Sequence, residues 1–264
     1  MKSVIKILYL PFLALVAFLW IPLEGFTSQH QTEARSLRAF LSMPLGDNEA
    51  AFMRLGSSSN IIVRVAGKTV LFDPATLDEE ELNILNKNGV DLAVYTHGHY
   101  DHFSSSTALK LFKGSQPVIA VEPSLSPFLK GDIPDEKLIT MASGKSFTNG
   151  NITIDALEGK HLGPIMLFRV TINDIKIFHG GDSAYVSLQT MASHLAFVPT
   201  GSPSPTCKPD YAFQMVSDVK PQIAVPMHGL DKQNDEFKRM MDSAMPETKV
   251  IITKPYVIQK VSIR

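Results

Sequence analysis

Residues 91–103 read DLAVYTHGHYDHF, an apolar run followed by Thr96-His97-Gly98-His99-Tyr100-Asp101-His102-Phe103. Asp91–Thr96 has the composition of a strand buried on both faces. Three imidazoles and a carboxylate then fall within residues 97–102, a density that neither a solvated loop nor a packed core requires. His97 and His99 are two apart, so in an extended segment they project to one side and can hold one metal ion. Asp101 and His102 begin the next turn and point elsewhere, toward a second ion. Gly98 is expected to let the backbone turn sharply between the first two histidines.

On either side of this stretch the chain reads as one α/β domain. Upstream, Ala51–Leu55, Ile61–Val65 and Val70–Phe72 are strand-like, with a hairpin turn expected at Gly67-Lys68. Downstream, Ser104–Phe112 has helical spacing and Val118–Val121 is a strand. Strands Ile152–Leu157, Met166–Ile172 and Ile175–Phe178 follow, the last two across an Asn173-Asp174 turn. Helix-like Ala184–Ser193, Asp210–Val219 and Asp235–Asp242 then alternate with strands Leu195–Val198 and Ile223–Val225. Val250–Ile252 and Val257–Val261 close the chain as strands. Hairpins followed by strand–helix alternation imply sheets covered by helices on the outside. Thr27–Leu45 reads as a linker plus a short helix, and Asp78–Glu81 as a solvated acidic surface. Thr200–Pro209, with three prolines directly after a strand, is expected near a site.

Single ligand-type residues stand at the ends of three later strands. His161 follows Ile152–Leu157, Asp182 lies in FHGGDSA (178–184) after Ile175–Phe178, and His228 lies in VPMHG (225–229) after Ile223–Val225. Ligands at the same end of several strands can converge on one point. His179 competes with His161 for the third position on the first ion. If its strand continues that far, it shares a face with Ile175 and Ile177, which suits a packing or supporting role. His30 and His194 read as solvated or packed, Tyr100 and Tyr185 as packing aromatics, and Cys207 as a loop or core thiol.

In spacing and order these residues resemble the metallo-β-lactamase superfamily, from about Ala51 to the C-terminus. With LFDP (71–74), THGHYDHF and VPMHG, the chain is most similar to the small single-domain branch of the ascorbate-phosphate lactonase type. It is more distantly similar to the N-acyl-phosphatidylethanolamine phospholipase D type. The resemblance implies an αββα sandwich with the site at the sheet edge. It further implies that His97, His99 and His161 hold one ion and Asp101, His102 and His228 the other, with Asp182 bridging. Two Zn²⁺ ions are expected, and Mn²⁺ or Fe²⁺ suit the same donors. The chain departs from the branch at Ser57-Ser58-Ser59, where relatives often carry a His after the equivalent of Leu55-Gly56. Two such ions lower the pKa of a bridging water toward about 7. The implied activity is therefore hydrolysis of a small ester, lactone or phosphodiester by a metal-bound hydroxide, with Asp101 able to accept a proton. The alternative is a catalytically inactive metal-binding or membrane-tethered partner protein of the same fold.

Composition bounds these readings. Of 264 residues 44% are apolar and 19% charged, a globular balance that excludes a disordered or coiled-coil chain. A net charge of −1 offers no field for a nucleic acid, so the expected partner is a small-molecule substrate. One cysteine excludes an internal disulfide and leaves His and carboxylates to hold any metal. At the N-terminus Lys2 and Lys6 precede Ile7–Leu23, 17 residues without a charge. That pattern describes an uncleaved membrane anchor or a cleaved signal peptide. The expected division is a targeting or anchoring segment at 1–28 and a hydrolase domain at 29–264. Lysines before the span favour an exported domain, periplasmic or extracytoplasmic and membrane-anchored.

Overall fold

In Leu92–Tyr95 all four side chains are buried, yet they face two different cores. Leu92 and Val94 point into a layer between two sheets, whereas Ala93 and Tyr95 point into a layer between sheet and helices. Because side chains alternate along a strand, a run apolar throughout is stable only where both faces are covered. This segment therefore lies in the interior of its sheet. A computed structural model describes residues 24–56 and 59–263. The expected anchor or signal at Met1–Leu23 lies outside the described residues, as do Ser57 and Ser58.

The first half of the chain builds one layer pair. Its elements are α1 (Glu24–Ser42), β1 (Glu49–Arg54), β2 (Ile61–Val65), β3 (Lys68–Phe72), α2 (Glu79–Asn88), β4 (Leu92–Tyr95), α3 (Ser105–Ser115) and β5 (Val118–Val121). A 3-10 helix at Pro123–Phe128 leads to β6 (Leu138–Thr140). The second half supplies β7 (Ser146–Asn149), β8 (Ile152–Glu158), β9 (Met166–Ile172), β10 (Ile175–His179), β11 (Leu195–Pro199), α4 (Pro209–Val219), β12 (Ile223–Met227) and α5 (Asp231–Ala244). It ends with β13 (Lys249–Val250) and β14 (Gln259–Ser262). The sheets run β14-β1-β2-β3-β4-β5-β6 and β13-β12-β11-β10-β9-β8-β7, so the last strand returns to the first sheet. Phe52 and Phe197 meet edge to face across the central core, 5.3 Å between centroids. Helices α1, α2 and α3 cover the outer face of the first sheet, and α4 and α5 that of the second. The arrangement is the expected helix–sheet–sheet–helix sandwich.

Several local expectations are corrected. Glu24–Ser42 is one continuous helix, whose Ala34, Leu37, Phe40 and Leu41 form a buried stripe, rather than a linker plus a short helix. The β2–β3 turn is centred on Ala66-Gly67, both at positive φ, one residue earlier than read. Asp78, Glu79 and Glu80 are exposed, as expected of an acidic surface, but Glu81 is buried and the run opens α2. Asp78 accepts from the Glu81 amide at 2.8 Å, and the Glu81 carboxylate accepts from the Asp78 amide at 2.9 Å. Residues 184–193 form no helix: the Asp218 carboxylate accepts from the Leu188 amide and the Tyr185 hydroxyl and holds this stretch as a loop. Tyr100 does not pack, being 86% exposed.

Candidate metal centre

Strands β3, β4 and β5 are parallel, and in the second sheet β8, β10, β11 and β12 point one way. Every anticipated ligand lies just beyond the C-terminal end of one of these strands. His97, His99, Asp101 and His102 follow β4, His161 follows β8, Asp182 follows β10, and His228 follows β12. The structure brings all seven together. One nitrogen each of His97, His99 and His161 lie within 4.8 Å of one another, as do ligand atoms of Asp101, His102 and His228.

Proton positions follow from the neighbours. The Thr96 hydroxyl donates its one proton to Asp73 Oδ2 at 2.7 Å, so toward His97 Nδ1, 2.9 Å away, it can only accept. His97 Nδ1 thus carries the ring proton, and the lone pair on Nε2 faces His99 Nδ1 at 3.2 Å. His161 repeats the device. Thr206 Oγ1 donates to the Asp182 carbonyl at 2.7 Å and accepts from His161 Nδ1 at 2.7 Å, leaving His161 Nε2 free 3.1 Å from His99 Nδ1. Burial pushes the His97 pKa down to about 3 and lowers that of His161, so both rings are neutral. Nitrogens with lone pairs thus crowd to within 3.2 Å around His99. A proton on His99 Nδ1 can satisfy one of these lone pairs at a time, whereas a cation among the three nitrogens would meet them all.

The second group is built on carboxylates. His102 Nδ1 donates to Asp73 Oδ2 at 2.8 Å, which directs Nε2 toward His228 Nε2 at 3.0 Å and Asp182 Oδ1 at 3.2 Å. Asp182 Oδ1 also lies 3.0 Å from His228 Nε2, yet it is buried and makes no hydrogen bond of good geometry. Asp101 Oδ2 is 3.6 Å from both imidazole nitrogens. Burial disfavours a charged His102, but Asp73 and Asp182 outweigh it and raise the pKa to about 10. Burial also opposes ionisation of Asp182, and contacts with His102 and His228 reverse this and hold it below the usual carboxylate range. The pocket thus attracts a cation: a proton on His102 in the bare chain, or a metal ion in competition with it.

Asp73 is the residue that sequence reasoning missed. It is fully buried, and its carboxylate accepts from the Thr96 amide, the Thr96 hydroxyl and His102 Nδ1. Although it falls within ligand distance of His97 and His102, its oxygens are already occupied by these donors, so it orients ligands instead. The available signal was an Asp ending the buried strand KTVLF before a proline. Asp73 and His228 both adopt left-handed backbone, φ 49° and 47°, a conformation that concentrates at functional sites. Thr200, at the start of the proline-containing loop, donates to the His228 carbonyl at 2.6 Å and pins that turn. Gly229 follows at φ 105°, where a Cβ would stand 2.2 Å from the Thr200 hydroxyl. Gly98, by contrast, is not left-handed; a Cβ there would stand 3.2 Å from the tip of Leu125, so what a side chain would meet is close packing rather than a turn.

His179 is no ligand in this geometry. It stacks on Phe72 at 4.9 Å, and its Nδ1 accepts from the Gly181 amide at 3.3 Å. Burial pushes its pKa down to about 4. Cys207 is buried, and its thiol donates to the Ser183 carbonyl at 3.8 Å. Tyr185 bonds Asp218, His194 accepts from the Lys176 amide, and His30 is exposed beside Glu33 and Asp78.

Residues 53–228 match the family described as beta-lactamase superfamily domain. A UPF0173 metal-dependent hydrolase of Staphylothermus marinus is 26% identical over 215 residues, covering 72% of this chain and 88% of that protein. Among solved structures, Igni18, a metallo hydrolase of Ignicoccus hospitalis, superposes with a TM-score of 0.68 at 19% identity, over 81% of this chain and all of its own. CmlA, a diiron β-hydroxylase of Streptomyces venezuelae, superposes with a TM-score of 0.62 at 12% identity, over 84% of this chain and 55% of its own. These likenesses show a common fold, and the family match covers two thirds of the sequence, ligand segments included. The chain belongs to the beta-lactamase superfamily.

Proposed function

We propose that the chain is a hydrolase that holds two divalent metal ions, zinc foremost, and cleaves a small ester, lactone or phosphodiester. The observation that carries this reading is the convergence of ligand-type nitrogens and carboxylate oxygens in two adjoining groups. His97, His99 and His161 would hold one ion, Asp101, His102 and His228 the other, and Asp182 would serve both. The hydrolase name of the Staphylothermus marinus relative supports the reaction class. Bound there, two ions would supply an activated water near neutral pH and an electrophilic contact for a carbonyl or phosphoryl oxygen.

The chain's own residues divide the remaining work. Asp73, Thr96 and Thr206 fix the ring tautomers, so no reorganisation is needed during turnover. Asp101 has 16% of its side chain exposed against 5% for Asp182, so it is the carboxylate that faces the mouth. From there it can orient an incoming water and take its proton. Residues 1–28 as a targeting or anchoring segment, with an exported domain at 29–264, belong to the same proposal; Lys2 and Lys6 before an uncharged run support it.

The test uses the full chain, stripped of metal and then reloaded with Zn²⁺, Mn²⁺ or Fe²⁺ in parallel. Each form is offered a chromogenic panel of esters, lactones and phosphodiesters. Metal-dependent turnover of at least one class is expected. No turnover by any metal-replete form would overturn the reading and leave the inactive metal-binding alternative.

A further inference from the structure

The four most exposed large apolar side chains among the described residues lie on segments that follow the C-terminal ends of strands, as the ligands do, three of them within two residues of a ligand. Tyr100, 86% exposed, lies between His99 and Asp101, and Leu162, 66% exposed, follows His161. Leu230, 63% exposed, stands two residues after His228. Phe128, 64% exposed, has its ring 6.2 Å from that of Phe103, the neighbour of His102. Exposed apolar residues scattered singly need no explanation, but a group gathered on one end marks an interaction surface.

Helix α1 shows how the rest of the chain meets that end. His30 Nδ1 lies 3.6 Å from Asp78 Oδ2, and Asp78 follows Asp73 by five residues on the ligand side. At the helix's other end Arg64 Nη1 donates to the Phe40 and Met43 carbonyls. Arg64 pairs with Thr69 beside the β2–β3 turn, at the opposite edge of the sheet. Helix α1 therefore runs away from the metal centre, and its first residue, Glu24, is about 9 Å further toward the ligand end than His30 at 1.5 Å per residue. The 17 uncharged residues Ile7–Leu23 join the domain at that point, directly before Glu24.

We propose that the ligand end of the domain docks on a lipid bilayer, with Tyr100, Phe128, Leu162 and Leu230 entering its interfacial layer. Met1–Leu23 tethers the domain from the same side, so a short connection suffices to bring the rim into contact. Substrates then reach the site as amphiphiles from the bilayer; this consequence rests on the hydrolase reading, whereas the docking does not.

The experiment places an environment-sensitive fluorophore on the full chain carrying Leu162→Cys, Leu230→Cys or, as a control at the far end of α3, Lys113→Cys. Cys207 does not compete for label, since burial holds its thiol pKa up to about 12. The proteins are incorporated into phosphatidylcholine–phosphatidylglycerol vesicles containing lipids spin-labelled at headgroup-proximal positions. Labels at 162 and 230 are expected to be quenched about twofold or more, as for side chains lying about 5–10 Å into an interface, and the label at 113 left unquenched. Equal quenching at all three positions, or none, overturns the docking. Labels at 162 and 230 already shielded without vesicles, and unquenched with them, would show Met1–Leu23 or a second copy covering the rim and also overturn it. The readout needs no turnover, so its failure and that of the hydrolase reading are separable.

Discussion

Asp73→Asn isolates the tautomer argument from packing. Asp73 receives three donors without exposure: the Thr96 amide at 2.7 Å, the Thr96 hydroxyl at 2.7 Å and His102 Nδ1 at 2.8 Å. Asp73→Ala would orphan all three at about 1–3 kcal/mol each, which together approaches the roughly 5–15 kcal/mol stability of a whole domain. Asn keeps the shape. Its carbonyl can retain the Thr96 amide, and its NH₂ then takes the place of Oδ2 and faces Thr96 Oγ1 and His102 Nδ1. The hydroxyl can rotate to accept. His102 can accept only by moving its proton to Nε2, the atom 3.2 Å from Asp182 Oδ1 that a metal ion would need. The expected result is a folded chain whose metal affinity falls about 10–100-fold, as when a ligand-orienting partner is lost; that is about 1.4–2.7 kcal/mol. Competitive chelator titration reads the affinity and thermal unfolding reads the fold. Wild-type affinity in a folded Asp73→Asn would refute the tautomer argument.

Other outcomes follow from the same geometry. His161→Ala should lose metal and activity together, whereas His179→Ala should keep its metal while losing roughly 2–5 kcal/mol of stability as a large-to-small core change; the reverse pattern of metal content would exchange their roles. Asp101→Asn should remain folded and lose turnover by a factor on the order of 10²–10⁴ if it accepts the water's proton, and full activity would remove that role. Burial raises the Glu81 pKa, opposed by its bonds to Asp78 and Tyr256. Its contribution to stability is thus complete below the ordinary Glu pKa and lost as pH rises through the raised value. Glu81→Gln should therefore gain stability over wild type at neutral pH but not in acid, read by thermal unfolding across pH; an equal difference at all pH values would contradict the shift.

The ligands were legible because most of them crowd one segment. His97, His99, Asp101 and His102 occupy consecutive turns, and the remaining three each end a strand beside a glycine or an apolar run. Asp73 was not, since a lone Asp at a strand end has no spacing to betray it; only its place within LFDP, after a largely buried strand and before Pro74, distinguishes it. Helix α2 was hidden by its charge, although Asp78 and Glu81 stand at the spacing of a capping box. Residues 184–193 misled in the opposite sense: Leu188 and Met191 are buried at helical spacing, but the partner that holds them is Asp218, 30 residues from Leu188. Strand order was beyond reach, because strands buried on both faces carry no alternation to say which face meets which layer.

The central claim is that two groups of converging His and Asp side chains each hold a divalent ion, and the metal content of the full chain tests it most directly. Elemental analysis of metal-replete, gel-filtered protein should give close to two equivalents per chain, falling on Asp182→Ala, which removes the carboxylate in contact with both His102 and His228. A content that stays below one equivalent in the wild-type chain would contradict it.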